Sequence, residues 1–333
     1  MQERVSVVIP CLNEAAHISD CLESILRSDY GAEKLEIIVV DGGSTDGTIA
    51  IIREFMGRFP GISLISNPNR SIPTAVNLGV ATATSDIIFR MDAHSTYSES
   101  YVRAGVKALA ESGASNVGGG YEIIPFGGSL VAQGISIVAR HPAGAGREYS
   151  RLLRITEPRW TDFVSFGCFR RETFERISGF DERLERGEDA DFNARLVENG
   201  GRVLFVPEMR FSYRARGTLK QLARHSFRTG YWAISANKIV KAKLTFRSLV
   251  PAASLFGCLI LFGAGAVYPF AGWCLAAFAA AYLLLLSGVS THAAFQAKDC
   301  RLVLMLPPIF LTLHCSHAAG SILGLFAKVN GER

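Results

Sequence analysis

The N-terminal part of the chain alternates short, continuous apolar runs with longer stretches whose apolar positions recur every three or four residues. Val5-Ser-Val-Val-Ile9, closed by Pro10, predicts a first strand. Asn13 can cap a helix over Glu14–Arg27, with Ile18, Leu22, Ile25 and Leu26 on one face. Leu35–Val40 is continuous enough to be a strand buried on both faces. In the turn that follows, Asp41-Gly-Gly-Ser-Thr-Asp-Gly-Thr48, either Asp46 or Thr45 can cap a helix carrying Ile49, Ile52 and Phe55. Ile62–Ser66 predicts a third strand, and Pro73 suits the first turn of a helix with Ala75, Val76 and Leu78. A fourth strand over 86–91 runs into Asp92 and His94. Ser98 opens a helix to about Ser112, stopped by Gly113, and Asn116–Tyr121 predicts a fifth strand.

This alternation with short turns implies an α/β fold built on a doubly wound, mostly parallel sheet. Residues 122–160 break the rhythm and read as a functional loop or a subdomain of their own. Phe163–Phe169 resumes as a strand and Arg171–Ile177 as a short helix. Gly187-Glu-Asp-Ala-Asp191 begins a helix with Phe192 and Leu196 inward, ended by Asn199-Gly-Gly201, and Arg202–Val206 predicts a further strand.

Composition adds a second region. The 333 residues are 49% apolar and 20% charged, yet Ser248–Ala297 holds no Asp, Glu, Lys or Arg. Just before it, Arg202–Arg247 carries eleven Lys or Arg against the single acid Glu208. A basic flank running into an uncharged apolar stretch marks a membrane boundary, cytoplasmic side first, and turns the reading away from nucleic acid as partner. Leu249–Tyr268 and Phe270–Ser290 are each about 20 residues, enough to cross roughly 30 Å of hydrocarbon. Tyr268-Pro269 turns between them, which brings Lys298 and Arg301 back to the side of the first region. Leu302–Ala327 is long enough for a third span, but Pro307-Pro308 and His314-Cys-Ser-His317 make it polar and breakable. Thr218–Asn237 sets Leu219, Leu222, Phe227, Tyr231, Trp232 and Ile234 among Lys220, Arg224 and Arg228. It reads either as a helix lying in the headgroup layer or as an ordinary packing helix. The division expected is 1–217, 218–247 and 248–333. The seven cysteines show no pairing pattern and read as free thiols, and Val5–Ile9 is too short for the apolar core of a signal peptide.

The chemistry-bearing residues fall at strand ends. Asn13-Glu14 follow the first strand, Asp41 the second and Asp92/His94 the fourth, while Glu188/Asp189 open a late helix. In open α/β sheets ligands bind outside the carboxyl ends of the strands. An acid at a βα turn can accept hydrogen bonds from a ribose or a base. Asp92 and His94 are donors for a hard or borderline cation bridging to phosphate oxygens. Asp189, in the first turn of its helix, is expected to stay ionised beside the helix dipole, as a general base requires.

Val7-Val-Ile-Pro-Cys-Leu-Asn-Glu14 followed by Val39-Val-Asp-Gly-Gly-Ser-Thr-Asp-Gly-Thr48 resembles the opening of family 2 glycosyltransferases. So does Arg90-Met-Asp-Ala-His94 in the place of that family's D-x-D motif. Phe169–Phe174, Gly179–Glu182 and Gly187–Asp191 are similar to its acceptor-side motifs, and Gln221-Leu-Ala-Arg-His225 to its Q-x-x-R-W box. The resemblance covers roughly residues 5–235. It is strongest to membrane-attached glucosyltransferases of succinoglycan-type bacterial exopolysaccharide assembly. It implies the GT-A nucleotide-diphospho-sugar transferase fold and an inverting, metal-dependent transfer of a sugar, glucose first, from a UDP-sugar to a polyprenyl-diphosphate-linked oligosaccharide.

On that resemblance Pro10, Asn13, Glu14, Asp41 and Asp92 would contact the nucleotide sugar, Asp41 at the uracil and Glu14 at the ribose. Asp92 and His94 would hold Mn²⁺ or Mg²⁺, and Asp189 would be the base. Glu188, Gln221, Arg224 and His225 would face the acceptor or the diphosphate. The place of work would be the bacterial inner membrane with the catalytic part in the cytoplasm, beside other exopolysaccharide assembly proteins. Two departures stand out. His94 replaces the second Asp of D-x-D, which favours Mn²⁺ over Mg²⁺. His225 replaces the Trp on which the resembling polymerases stack a sugar, which argues against a processive synthase. Two alternatives share the motifs: direct transfer to polyprenyl phosphate, where no base is needed, and a non-catalytic nucleotide-sugar-binding membrane scaffold.

Overall fold

A computed structural model describes residues 3–144, 155–240 and 246–327. The chain divides into two units, Met1–Glu122 with Arg151–Tyr213, and Ile123–Ser150 with Arg214–Arg333.

In the first unit the predicted alternation is realised as β1 (Val5–Cys11), α1 (Ile18–Leu26), β2 (Leu35–Asp41), α2 (Thr48–Arg58), β3 (Ile62–Ser66), α3 (Ile72–Thr82) and β4 (Ile87–Arg90). β5 (Ser95–Tyr97), α4 (Tyr101–Ser112), β6 (Asn116–Gly118) and β7 (Tyr121–Ile124) follow. Beyond α5 (Leu130–Arg140) lie β8 (Arg159–Thr161), β9 (Cys168–Arg170), α6 (Arg171–Arg176), α7 (Glu188–Glu198), β10 (Val203–Phe205) and β11 (Phe211–Arg214). Eight strands form one sheet in the order β3-β2-β1-β4-β9-β6-β10-β8, and β5-β11-β7 form a small second sheet. β1 pairs in parallel with both β2 and β4, while β9 runs antiparallel between β4 and β6. The sheet is therefore mostly parallel, with β9 inserted antiparallel and β8 antiparallel to β10 at the edge.

Strand residues alternate between two cores, as the period of two demands. Val7, Ile9, Ile37, Val39 and Phe89 pack with Ile18, Leu22, Ile52 and Phe55 on one face. Val8, Ile38, Val40 and Ile88 pack with Ala75, Val76, Phe174, Phe192 and Leu196 on the other. The helices thus cover both faces, and the carboxyl ends of β1, β2 and β4 are left to form a site.

Several expected boundaries shift for physical reasons. Pro10 does not end β1, because the strand continues to Cys11 opposite Asp41. Asn13 does not cap α1; it sits at φ 55° and the helix starts at Ile18. The strand expected over 116–121 splits in two at Gly119, where a Cβ would stand 1.6 Å from the Met209 carbonyl oxygen. The irregular 122–160 stretch contains α5, capped by Ser129 through the Ala132 N–H; its residues 145–154 lie outside the described ones. The strand expected over 163–169 is confined to β9, Cys168–Arg170.

The second unit is helical: α5, α8 (Leu219–Ser235), α9 (Phe246–Gly265), α10 (Pro269–Ala297) and α11 (Leu302–Leu325). α10 and α11 are long and apolar enough to cross a membrane. The prolines do not break α11, which continues through Pro307 and Pro308 as one helix. α8 lies along its C-terminal half through small residues. A Cβ on Gly320 would stand 2.0 Å from Phe227 O, and one on Gly230 would stand 2.0 Å from His317 O. Ser321 Oγ donates to Gly230 O at 3.2 Å, and Lys238 Nζ caps the end of α11 at Leu325 O and Ala327 O.

Candidate active site

The turns after β1 and β2 are stitched together. Asn13 Oδ1 accepts from the Thr45 N–H at 2.9 Å, and the Asn13 N–H donates to Ser44 Oγ at 2.7 Å. The Glu14 N–H donates to Thr48 Oγ1 at 2.8 Å, and the Ala15 N–H to Asp46 Oδ2 at 3.1 Å. Asp41 is buried, and its carboxylate is committed to its own turn. Oδ2 accepts from the Gly43 and Ser44 N–H groups at 2.8 and 2.9 Å, and Oδ1 accepts from Ser44 Oγ. The asparagine and aspartates here spend their side chains on backbone groups, the usual chemistry of such residues in turns. Arg70, at φ 57°, lies against this turn with its guanidinium toward Gly43.

At the end of β4 the backbone of Asp92 is fixed by Tyr97, whose hydroxyl accepts its N–H at 2.6 Å. His94 stands between two carboxylates, with Nδ1 3.2 Å from Glu14 Oε1 and Nε2 3.4 Å from Asp92 Oδ2. Its ring edge rests on Tyr213, centroids 5.1 Å apart. A carboxylate at Nδ1 with Nε2 turned toward Asp92 is the arrangement by which an outer carboxylate orients a metal-binding histidine. Asp92 and His94 supply one oxygen and one nitrogen donor. Among the described residues no group of three or more such side chains stands together for a cation. A cation here needs its remaining ligands from phosphate oxygens and water, the habit of magnesium-type sites, and the residues fit it.

The third part of the site is ionic and brings in a residue that sequence reasoning passed over. Arg90, 2% exposed, places Nη1 3.2 Å from Asp189 Oδ2 and Nη2 3.4 Å from Glu188 Oε1. Gly187, left-handed at φ 84°, aims both acids by starting α7 there. Burial drives both carboxyls up. Glu188 is pushed to about 7, with Asp189 adding and Arg90 opposing. Asp189 also lies above its ordinary value, again by burial, with Arg90 and a backbone hydrogen bond from Phe166 working against the rise. The helix dipole alone predicts the opposite direction; desolvation outweighs it.

Gln221, Arg224 and His225 lie on α8 of the second unit. Gln221 Oε1 accepts from the Gly217 N–H at 3.1 Å, and His225 Nδ1 is 3.4 Å from Arg216 Nη2. Arg224 is exposed.

Comparison with known proteins places the chain in a family and a fold. The model of glycosyl transferase family 2 matches residues 6–178. The succinoglycan biosynthesis protein ExoA of Rhizobium meliloti is 31% identical over 261 residues, 76% of this chain and 77% of that protein. The chain belongs to glycosyl transferase family 2. A second member of the family, from Methanococcus voltae, is a dolichyl N-acetyl-α-D-glucosaminyl phosphate 3-β-D-2,3-diacetamido-2,3-dideoxy-β-D-glucuronosyltransferase. It is 25% identical over 76% of this chain and 79% of its own length. Among solved structures, the mannosyltransferase PcManGT of Pyrobaculum calidifontis, in complex with GDP-Man and Mn²⁺, superposes with a TM-score of 0.60. Its identity is 24%, covering 98% of this chain and 88% of that one, and it shares the GT-A fold. This family 2 protein is a glycosyltransferase of polysaccharide or glycan biosynthesis.

Proposed function

We propose that this enzyme is a membrane-attached, inverting, metal-dependent transferase. It moves a sugar, glucose first, from a UDP-sugar to a polyprenyl-diphosphate-linked oligosaccharide in exopolysaccharide assembly. The observation that carries the reading is the Arg90 bridge, which ties Glu188 and Asp189 to the strand end that bears Asp92. A base and a metal-binding carboxylate held at one strand end are what in-line displacement on a nucleotide sugar needs. The ExoA and Methanococcus relatives, whose names concern succinoglycan and a lipid-linked sugar, support the acceptor class.

In this reading Asp41 and Asn13 shape the paired turns against which the base rests. Pro10 contacts the nucleotide sugar from the end of β1, and Arg70 lies beside the turn with its guanidinium toward Gly43. Asp92 and His94 hold the divalent cation, with Glu14 keeping the imidazole in its binding tautomer. Held by Asp92 and His94, a cation would offset the charge that builds on the departing diphosphate. Asp189 takes the proton of the acceptor hydroxyl as that oxygen attacks the anomeric carbon. The bond to the diphosphate breaks with its electron pair leaving on UDP, and the configuration inverts. Glu188, Gln221, Arg224 and His225 serve the acceptor or the diphosphate. The basic stretch and the apolar helices attach the enzyme to the bacterial inner membrane, with the catalytic unit in the cytoplasm.

The test is purified protein in detergent with Mn²⁺ or Mg²⁺, UDP-glucose and a lipid extract, following UDP release and product mass. The expected result is a product one hexose heavier, Mn²⁺ serving at least as well as Mg²⁺, and a loss on the order of 100-fold or more in Asp189→Asn. UDP release that persists in Asp189→Asn points instead to a phosphate nucleophile, which needs no base. No release with any UDP-sugar points to a binding scaffold.

A further inference from the structure

Arg90 closes a short apolar strand, and its guanidinium is almost wholly withdrawn from water. Burying such a group is costly unless its donors are paired. Here the two terminal nitrogens reach two acids adjacent in sequence, at 3.2 and 3.4 Å, both from the first turn of α7, while the buried Nε has no hydrogen-bond partner among the described residues. The flat face of the guanidinium lies over the Phe166 ring at 4.3 Å, a cation–π contact that sets its tilt. Phe166 is itself held at φ 53°, with its carbonyl accepting from Tyr101 Oη at 3.2 Å. The backbone beneath is equally fixed, since Arg90 pairs with Val8 in the sheet and its N–H donates to Gly167 O at 3.0 Å.

A guanidinium serving only to close a buried ion pair needs one carboxylate. Arg195, on the same helix, does this with Asp191 at 2.6 Å and spends its other donors on the Ile177 and Gly179 carbonyls. Arg90 instead faces two carboxylates directly and feels the charge of a third, Asp92. Three acidic side chains thus gather around one guanidinium, more than a purely structural bridge requires.

We propose that Arg90 is the positioning residue of the transfer step, fixing the Asp189 carboxylate, with Glu188 as the second arm of the clamp, in the orientation that meets the acceptor hydroxyl. The inference rests on the reading of Asp189 as the base. The charged groups facing Asp189 are Arg90 on β4, Asp92 just beyond it and Glu188 on its own helix. Of these only Arg90 favours the carboxylate, so its removal both frees the side chain to swing and lets it keep its proton to higher pH.

The experiment uses the full chain in detergent and compares Arg90→Gln, Arg90→Lys and Asp189→Asn. Arg90→Gln is expected to lower kcat on the order of 100-fold while calorimetric binding of UDP with Mn²⁺ stays within about threefold. The acid limb of its kcat profile moves to higher pH. Arg90→Lys keeps the charge but not the fork, so its acid limb stays near the wild-type position while kcat remains reduced. If the Gln variant does not fold, the Lys variant decides alone: reduced kcat with intact UDP binding supports the role, and wild-type kcat overturns it. Wild-type kcat and an unmoved acid limb in Arg90→Gln overturn it as well, as does a loss of UDP binding in proportion to kcat. Asp189→Asn with full kcat removes the base, and the positioning role with it. An inactive Asp189→Asn beside a fully active Arg90→Gln overturns the positioning role alone.

Discussion

Glu188 shows how a single buried acid reports on its surroundings. Burial raises its carboxyl from 4.5 to about 7. A group that binds its proton more tightly when folded stabilises the fold fully below its unfolded value, and that contribution is lost as pH rises through the folded value. The window is therefore pH 4.5 to about 7. Across it the melting temperature of the wild type should fall more than that of Glu188→Gln, which cannot ionise; parallel curves would remove Glu188 as the source. In the sequence the acids of Glu188-Asp189 were legible as a pair at a helix start, but their ionisation was not. That depends first on burial and then on Arg90, 98 residues earlier and indistinguishable, in sequence, from any polar residue closing a strand. Likewise Asp41 was legible as a strand-end acid, whereas the commitment of its oxygens to Gly43 and Ser44 is a matter of turn geometry.

At the scale of elements, the short apolar strands of the parallel half were the most readable. Ile62–Ser66 holds to the residue, and Ser71 with Pro73 starts α3 as helix chemistry requires. What could not be read was set by distant backbone. Gly119 divides a strand because Met209 passes against it, and Arg171 anchors β9 beside β4 through the Val80, Ala83 and Ser85 carbonyls. The same kind of contact rules the α8–α11 seam. Gly320→Val drives a methyl-bearing side chain into the Phe227 carbonyl, and such overpacking costs roughly 1–3 kcal/mol or more. Gly257 on α9, with nothing within 4 Å, is the control. Thermal unfolding in detergent should show Gly320→Val clearly destabilised and Gly257→Ala unchanged or slightly stabilised. Equal melting of the two would mean that the seam does not bear on stability.

For the molecule as a whole, the apolar surface is concentrated where charge is missing. Phe262, Phe270, Trp273, Leu284 and Phe295 are all exposed on α9 and α10. A contiguous patch of large apolar side chains marks an interaction surface, and the membrane attachment proposed above accounts for it. Cys300, exposed in the turn between α10 and α11 beside Lys298 and Arg301, is a natural reporter of sidedness. In a chain whose other cysteines are replaced, an impermeant maleimide is expected to label Cys300 in inside-out vesicles and not in intact cells. Labelling of intact cells would reverse the orientation proposed for the helices.

The seam between α8 and α11 has a further consequence, for the making of the protein. Gly230 meets Ser321, 91 residues later in the chain. At ribosomal speed, that separation is a delay of roughly 5–18 seconds. For that interval α8 has been synthesised with its apolar face uncovered, and only completion of α11 closes it. A nascent chain stalled between the two should therefore be held by a chaperone or the insertion machinery, and released when the last helix arrives.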